Sequence, residues 1–240
     1  MYVDMHSHIL PGADHGSESV EMSVSQLRMA REAGIDTILS TSHFYMENDN
    51  VEDFLKRRSE CYEKLQSAMP DDLKNEIDII LGAEVTLYNG LDKLEGLEKL
   101  CIGDTRNILI EMPMVRWNST VYETLENIIR NRGLNPIIAH IDRYLDFNNT
   151  KKLVEMEVAL QVNASAFEKF FICHKVMKLF KYGYAMYLGS DIHLLGPQYE
   201  QYKKAVKKLE PIMDVIAENS RYAIGQKKDE QRFTVKKHTF

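Results

Sequence analysis

Seven short apolar runs, separated by longer amphipathic stretches, constrain this chain more than any other feature of its sequence. They are Tyr2–Met5, Thr37–Ser40, Ile77–Leu81, Ile108–Ile110, Pro136–Ala139, Ala159–Val162 and Ala185–Leu188. Rich in Val, Ile and Leu, they are near-continuous rather than alternating in polarity. Strands read this way when helices cover both faces of a parallel sheet, or when the strands line a closed barrel. The stretches between them carry helical signals. Ser17 is the expected N-cap of a helix with Val20, Val24 and Leu27 on one face, ending near Gly34. Further helices are expected over Val51–Met69, Thr120–Arg132, Asn148–Glu157, Phe167–Tyr182 and Pro197–Glu218, while Leu91–Leu100 is ambiguous. Regular strand–helix alternation predicts an α/β fold. No Gly/Ser/Pro-rich linker divides the chain, so residues 1–224 are expected to form one domain. A polar, basic tail follows over 225–240, with Lys227, Lys228, Lys236 and Lys237.

Composition narrows the function classes. Acidic residues outnumber basic ones, 36 to 30, for a formal charge of −6. That is the wrong sign for a non-specific nucleic-acid binder. Cys61, Cys101 and Cys173 are far apart and form no CxxC, which points to a reducing compartment rather than a disulfide framework. The opening MYVDMHSHIL lacks a basic n-region, and no stretch reaches the ~18 apolar residues of a membrane span. A cytoplasmic protein is expected.

The polar residues favour a barrel over an open sheet. Just past the C-terminal ends of the successive runs lie His6 and His8, His43, Glu84, Glu111, His140 with Asp142 and Arg143, Asn163, and Asp191 with His193. In barrels of parallel strands the active site is built at that end, from loops of several units. Five of the eight histidines fall there, and His15 in the first loop is a candidate sixth. In His6-Ser7-His8, residues i and i+2 share one face of an extended strand, so two imidazoles can reach one metal ion from a rigid base. Asp191-Ile192-His193 repeats the spacing with a carboxylate and an imidazole. Such ligands suit borderline divalent ions such as Zn, Fe and Mn. Together they exceed the needs of one ion and suggest two or three sharing a bridging carboxylate, an arrangement suited to phosphate ester hydrolysis. Taken singly, each of these residues is more simply a satisfied polar group or a helix cap; the joint placement carries the reading.

With these residues in view, the chain resembles the PHP (polymerase and histidinol phosphatase) superfamily. More closely, it resembles the tyrosine-protein phosphatases encoded beside bacterial capsular and exopolysaccharide genes. The matching segments are Asp4–Gly16, Thr41–His43, Gly82–Glu84, Leu109–Pro113, Ile138–Arg143, Gln161–Ser165 and Gly189–His193. The resemblance implies a distorted seven-unit, TIM-like (β/α) barrel with up to three ions, commonly manganese, with iron or zinc as alternatives. It implies that His6, His8, Glu84 and Asp191 hold the first ion. Glu84 would bridge to a second, held by His43 and His140. Glu111 and His193 would hold a third with a first-loop residue. Arg143 matches a phosphate-binding arginine. The implied substrate is a phosphotyrosine protein, a bacterial tyrosine kinase of polysaccharide export being the expected partner.

Three departures stand out. The first loop usually reads D-D-G, but here it is Asp14-His15-Gly16, which puts an imidazole where a carboxylate ligand is usual. The usual H-x-E-R is His140-Ile141-Asp142-Arg143. A second arginine after the last motif is missing, which leaves Arg143, or Arg116 in the Met114–Asn118 loop, to hold phosphate. The expected reaction is in-line attack on phosphorus by a hydroxide bridging two ions, with Asp142 or His193 as candidate acids. No cysteine has an arginine six residues on, which argues against a thiolate mechanism. Phe44, Tyr45 and Trp117 are candidate rim aromatics for a phosphotyrosine ring, core packing being an equal reading. A small-molecule phosphatase of the histidinol-phosphate type, an amidohydrolase-like barrel and a non-catalytic metal-binding scaffold remain as alternatives.

Overall fold

Both faces of the strands are buried, which explains the unbroken apolar runs. The computed structural model describes residues 1–226, so the tail lysines Lys227, Lys228, Lys236 and Lys237 lie outside the described residues. In chain order the elements are β1 (Tyr2–Ser7), α1 (Val20–Glu32), β2 (Ile35–Ser40), β3 (His43–Phe44), α2 (Val51–Ala68), α3 (Asp71–Glu76), β4 (Asp78–Leu81) and β5 (Glu84–Thr86). There follow β6 (Asn107–Glu111), α4 (Ser119–Arg130), β7 (Asn135–Ile138), α5 (Phe147–Glu155), β8 (Ala159–Asn163), α6 (Phe170–Lys181), β9 (Ala185–Gly189), α7 (Gln198–Leu209) and α8 (Met213–Ala223).

Each of the seven apolar runs is a strand, and every strand pairing is parallel. Among the described residues the ladder is not continuous. It divides into a smaller sheet, β1-β2-β4, and a larger one, β3-β5-β6-β7-β8-β9. The two short strands β3 and β5 were not expected. They are where β2 and β4 resume after breaks at Thr41–Ser42 and Gly82–Ala83. At the opposite side the segment just past β9 lies against the end of β1 through an isolated parallel bridge, Ser7 to Ile192. His8 N donates to Ile192 O at 2.9 Å and Asp191 N to His6 O at 2.8 Å.

Alternate strand residues enter two separate cores. Ile38, Ile108, Ile110, Ile138 and Leu188 face the helices. Their neighbours Leu39, Leu109, Ile137 and Tyr187, with Val3 and Met5 of β1, form a second cluster that Ala223 and Ile224 join at the end of α8. Burying each such aliphatic side chain is worth about 1.5–3 kcal/mol.

Several helix boundaries differ from expectation for local reasons. The N-cap of α1 is Ser19, which accepts from Met22 N. Ser17 is instead buried in the first loop, its N–H on His8 O and its hydroxyl on Ser23 Oγ at 2.8 Å. The expected helix Pro197–Glu218 is split into α7 and α8 by a 3₁₀ turn over Glu210–Ile212, because Pro211 has no N–H and its ring clashes with the preceding turn. Leu91–Leu100 forms two 3₁₀ turns, Leu91–Lys93 and Leu97–Leu100.

Where β9 meets β1 the backbones approach closely. A Cβ at Gly189 would sit 2.7 Å from His6 Cβ and 2.6 Å from Gln161 Nε2. Gly189→Ala is therefore expected to lower unfolding stability by about 1–3 kcal/mol, the usual cost of overpacking. Urea denaturation measures this, and an unchanged midpoint would mean that β9 and β1 can separate freely.

Candidate metal centre

The site begins with the pitch of an extended chain. His6 ends the inward face of β1, and His8 follows two residues later on the same face. Both are fully buried. His6 Nδ1 lies 3.2 Å from Gln161 Oε1, and His8 Nδ1 lies 2.8 Å from Asp14 Oδ2. Gln161 Oε1 also accepts from His140 N at 2.7 Å, which fixes the amide's orientation. Oxygen acceptors on the outer nitrogens assign the imidazole protons to Nδ1 in the neutral tautomers. The two Nε2 atoms then turn lone pairs on each other at 3.1 Å. A shared cation relieves that repulsion, and outer oxygen partners of this kind are what orient metal-ligating histidines.

Glu84, the first residue of β5, stands at the middle with 1% exposure. Its Oε1 lies 2.8 Å from His140 Nε2. Its Oε2 is 3.1 Å from His6 Nε2, 3.3 Å from His8 Nε2 and 3.2 Å from His43 Nδ1. Despite these approaches, Oε2 forms no aligned hydrogen bond, nor does His43 Nδ1. Buried donor atoms that converge without satisfying one another fit divalent cations. Burial works against the Glu84 charge, yet His6, His140 and His8 hold its pKa well below the usual carboxylate range. Conversely, burial disfavours charge on His6, but Glu84 and Asp191 outweigh it and raise its pKa. The pocket attracts positive charge, so protons and metal ions compete for it.

The remaining strand ends complete the ring. Asp191 Oδ1 is 3.5 Å from both His6 Nε2 and His8 Nε2, while Oδ2 accepts from Arg143 Nη2 at 2.6 Å and Asn163 Nδ2 at 2.7 Å. Glu111 Oε1 is 3.5 Å from His140 Nε2, and its Oε2 accepts from Thr86 Oγ1 at 2.9 Å. His193 Nδ1 is turned to Asp191 O at 3.1 Å, leaving Nε2 3.5 Å from His43 Nε2. Burial pushes the His43 pKa down to about 3 and also lowers that of His193, so both offer neutral imidazoles. His140 and Asp191 hold left-handed backbone, at φ 33° and 54°. That conformation is costly for residues with a Cβ and tends to mark sites where side-chain direction matters.

The converging groups are His6–His8–Asp191, His6–Glu84–His140, His43–Glu84–Glu111 and His8–His43–His193. His6, His8 and Asp191 of the expected first set fall in one group and Glu84 in two neighbouring ones; among the described residues Glu111 joins Glu84 and His43, and His193 joins His8 and His43. His15 is exposed at the mouth, its ring 4.5 Å from that of His43 and 4.8 Å from that of His193. Two of the candidate rim aromatics are core. Phe44 is fully buried against Phe54, and Trp117 is buried with Nε1 on Pro113 O. Tyr45 stacks on His43 at 5.2 Å.

Sequence reasoning missed the groups that brace the converging side chains. Asp14 Oδ2 accepts from His43 N at 2.8 Å while it orients His8. It follows the Gly12 turn, and only its place beside His15 could have flagged it. Gln161 sits two residues before Asn163, on the same face of β8, and that spacing was the available signal. Asp142 Oδ1 accepts from Asn163 N at 2.8 Å, and burial raises its pKa. Beside it, Arg143 opens onto a groove of about 580 Å³ that Met114, Arg116, Phe171 and Lys175 also line.

Comparison with known proteins bears on family and fold. The model of the family described as capsular polysaccharide synthesis, CpsB/CapC, matches residues 2–220. The chain is 30% identical to the tyrosine-protein phosphatase CpsB of Streptococcus pneumoniae, over 96% of this chain and 94% of that one. It is 27% identical to the tyrosine-protein phosphatase YwqE of Bacillus subtilis, over 68% and 65% of the two chains. Its fold superposes with a TM-score of 0.75, at 21% identity, on a solved structure from the work describing YwqE and CpsB as unique metal-dependent tyrosine phosphatases, covering 94% of this chain and 95% of that one. A TatD-like protein of Archaeoglobus fulgidus superposes at 0.54 and 15% identity, covering 93% and 99%. Parallel strands with their polar ends gathered on one buried carboxylate, and a family match over nearly the whole chain, lead to one conclusion: this chain belongs to the CpsB/CapC family.

Proposed function

We propose that this chain is a metal-dependent protein-tyrosine phosphatase acting in capsular or exopolysaccharide synthesis. The observation that carries the reading is the convergence of Nε2 lone pairs and the unsatisfied Glu84 Oε2 on one buried point. The relatives named above are tyrosine-protein phosphatases. Residues 1–224 are read as one phosphatase domain, a distorted seven-unit barrel whose seam is the β9–β1 contact. The inner cluster shared by β1, β2, β6, β7 and β9 supports that reading. No helix among the described residues is long and apolar enough to cross a membrane. We place the protein in the cytoplasm, acting on a tyrosine kinase of polysaccharide export.

His6, His8 and Asp191 would hold one ion, and Glu84 would bridge it to a second beside His140 and Glu111. His43 and His193, with His15, would serve a third. Manganese suits the carboxylate-rich part, iron and zinc being the alternatives. When bound, the ions supply Lewis-acid activation of water and neutralise phosphate charge. The chain's own residues do the rest. Arg143, partly exposed and paired with Asp191 and Glu111, would bind the equatorial phosphate oxygens through its planar guanidinium. Asp14 and Gln161 lock the tautomers of His8 and His6. A tyrosine leaving group, with a pKa of ~10, needs little proton assistance, and Asp142, kept protonated longer by burial, is the candidate donor. His193, with its outer nitrogen engaged, reads as a ligand rather than an acid.

Three outcomes test this. The His6→Ala/His8→Ala double variant should lose metal-dependent p-nitrophenyl phosphate and phosphotyrosine-peptide hydrolysis by more than ~100-fold; retained manganese-dependent turnover would sink the proposal. Asp14→Ala, which leaves every proposed ligand in place, should weaken metal binding by about 10–100-fold, read by metal titration. The raised pKa of His6 and His8 in the metal-free protein means that both keep their protons to higher pH than a free imidazole does. Loading must displace those protons, so apparent affinity should rise with pH and calorimetry in buffers of different ionisation enthalpy should show proton release. A pH-independent affinity would contradict it.

A further inference from the structure

The groove beside Arg143 carries features that phosphate hydrolysis alone does not need. Apolar side chains line it from two directions. Met114 and Val115 belong to the loop between β6 and α4, while Phe171 and Ile172 belong to the first turn of α6. Met114 is 73% exposed and Phe171 82%. A single exposed side chain of this kind is ordinary, but apolar groups gathered along one groove mark an interaction surface. The groove is also continuous with the metal centre, because Arg143 lines it and pairs with Asp191 at 2.6 Å.

Its walls are tied in place. Tyr144 Oη donates to Met112 O at 2.7 Å and Trp117 Nε1 to Pro113 O at 2.8 Å, which anchors both ends of the loop that carries Met114 and Val115. The Trp117 and Tyr144 rings pack together at 5.4 Å, and Phe170 packs edge-on against Phe171 at 5.5 Å. A surface fixed in advance loses less freedom when a ligand settles on it. Charge in the groove is one-sided. Asp142 Oδ1 accepts from Asn163 N, and Asp146 Oδ1 accepts from Asn148 N and Asn149 N, so both carboxylates are committed to backbone. Arg116 and Lys175 are exposed, and Lys175 Nζ donates to Leu145 O at 3.3 Å rather than to a carboxylate. In a chain of formal charge −6, cations gathered beside an apolar groove favour an acidic ligand.

We propose that this groove docks the polypeptide flanking the phosphotyrosine, and that it selects substrates with a bulky apolar and an acidic residue beside that tyrosine. With the phosphate at Arg143, the apolar side chain packs between Met114 and Phe171, and the acidic one pairs with Lys175 or Arg116. Methionine, aromatic residues and arginine are the types concentrated at protein interfaces. A small phosphate ester engages Arg143 and leaves the rest of the groove bare. This inference rests on the protein-tyrosine phosphatase reading above and adds what is recognised beyond the phosphate.

The test compares kcat/KM of the manganese-supplemented full-length protein on p-nitrophenyl phosphate and on two phosphotyrosine peptides. One peptide carries Glu and Leu on both sides of the phosphotyrosine, the other Ser and Gly. Wild type should favour the Glu/Leu peptide by about tenfold. Lys175→Glu should lower the ratio of Glu/Leu peptide to p-nitrophenyl phosphate turnover by about fivefold. A peptide with Lys in place of Glu should then be a better substrate for Lys175→Glu than for wild type, a gain that misfolding cannot produce. Phe171→Ser should lower the same ratio by about tenfold. Trp117, the chain's one tryptophan, lines the groove and gives a readout without turnover. Titrating metal-free wild type with the Glu/Leu phosphopeptide should change its fluorescence saturably, and Phe171→Ser should weaken the binding. Equal kcat/KM on the two peptides in wild type, or ratios that neither variant moves, overturns the docking groove and leaves the phosphatase reading standing. Absence of manganese-dependent hydrolysis of every phosphotyrosine substrate overturns that reading, and the Trp117 titration then decides the groove on its own.

Discussion

Glu84 is a carboxylate with almost no access to water, held between imidazoles that approach it to 2.8–3.3 Å. An isolated charge at such depth would cost several kcal/mol, so the surroundings must supply positive charge, as protons or as metal ions. The other groups of the centre follow from that need. Asp191 and Glu111 extend the negative field outward, Arg143 spans both, and Asp14 and Gln161 aim the ring nitrogens inward. The arrangement is an electrostatic well whose walls are set before any ligand arrives.

The fold delivers these groups because its strands are parallel and its helices cover their outer faces. Parallel order puts every C-terminal strand end on one side, and two-sided burial fixes which residue of each strand points where. The breaks after β2 and β4 matter here. They let the chain restart as β3 and β5 with His43 and Glu84 as first residues, paired directly with each other. A strand running straight through would have carried both side chains elsewhere.

Much of this was legible in the residues. The seven apolar runs located the strands, because continuous apolar sequence has one common cause in an alternating α/β pattern. Polar residues at their ends located the groups that converge in space. What the sequence hid were properties of contact rather than of type. The breaks that create β3 and β5 carry no turn signature beyond Gly82. Ser19 and Ser17 are equally good caps on paper, and burial of Ser17 under the first loop decided between them. The grouping of Glu111 and His193 around different neighbours depends on strand stagger, which periodicity does not report. Phe44 and Trp117 look like rim aromatics in sequence and are core in space, since an aromatic beside a ligand can point either way from the backbone.

The left-handed backbone at His140 and Asp191 carries a consequence for the life of the protein in a cell. Each such residue costs on the order of 1–3 kcal/mol. A cation that binds only the folded chain repays these costs by mass action. Starved of metal, such a chain is exposed to proteolysis as well as inactive, so the amount of protein present becomes a record of the metal supply at the time it folded.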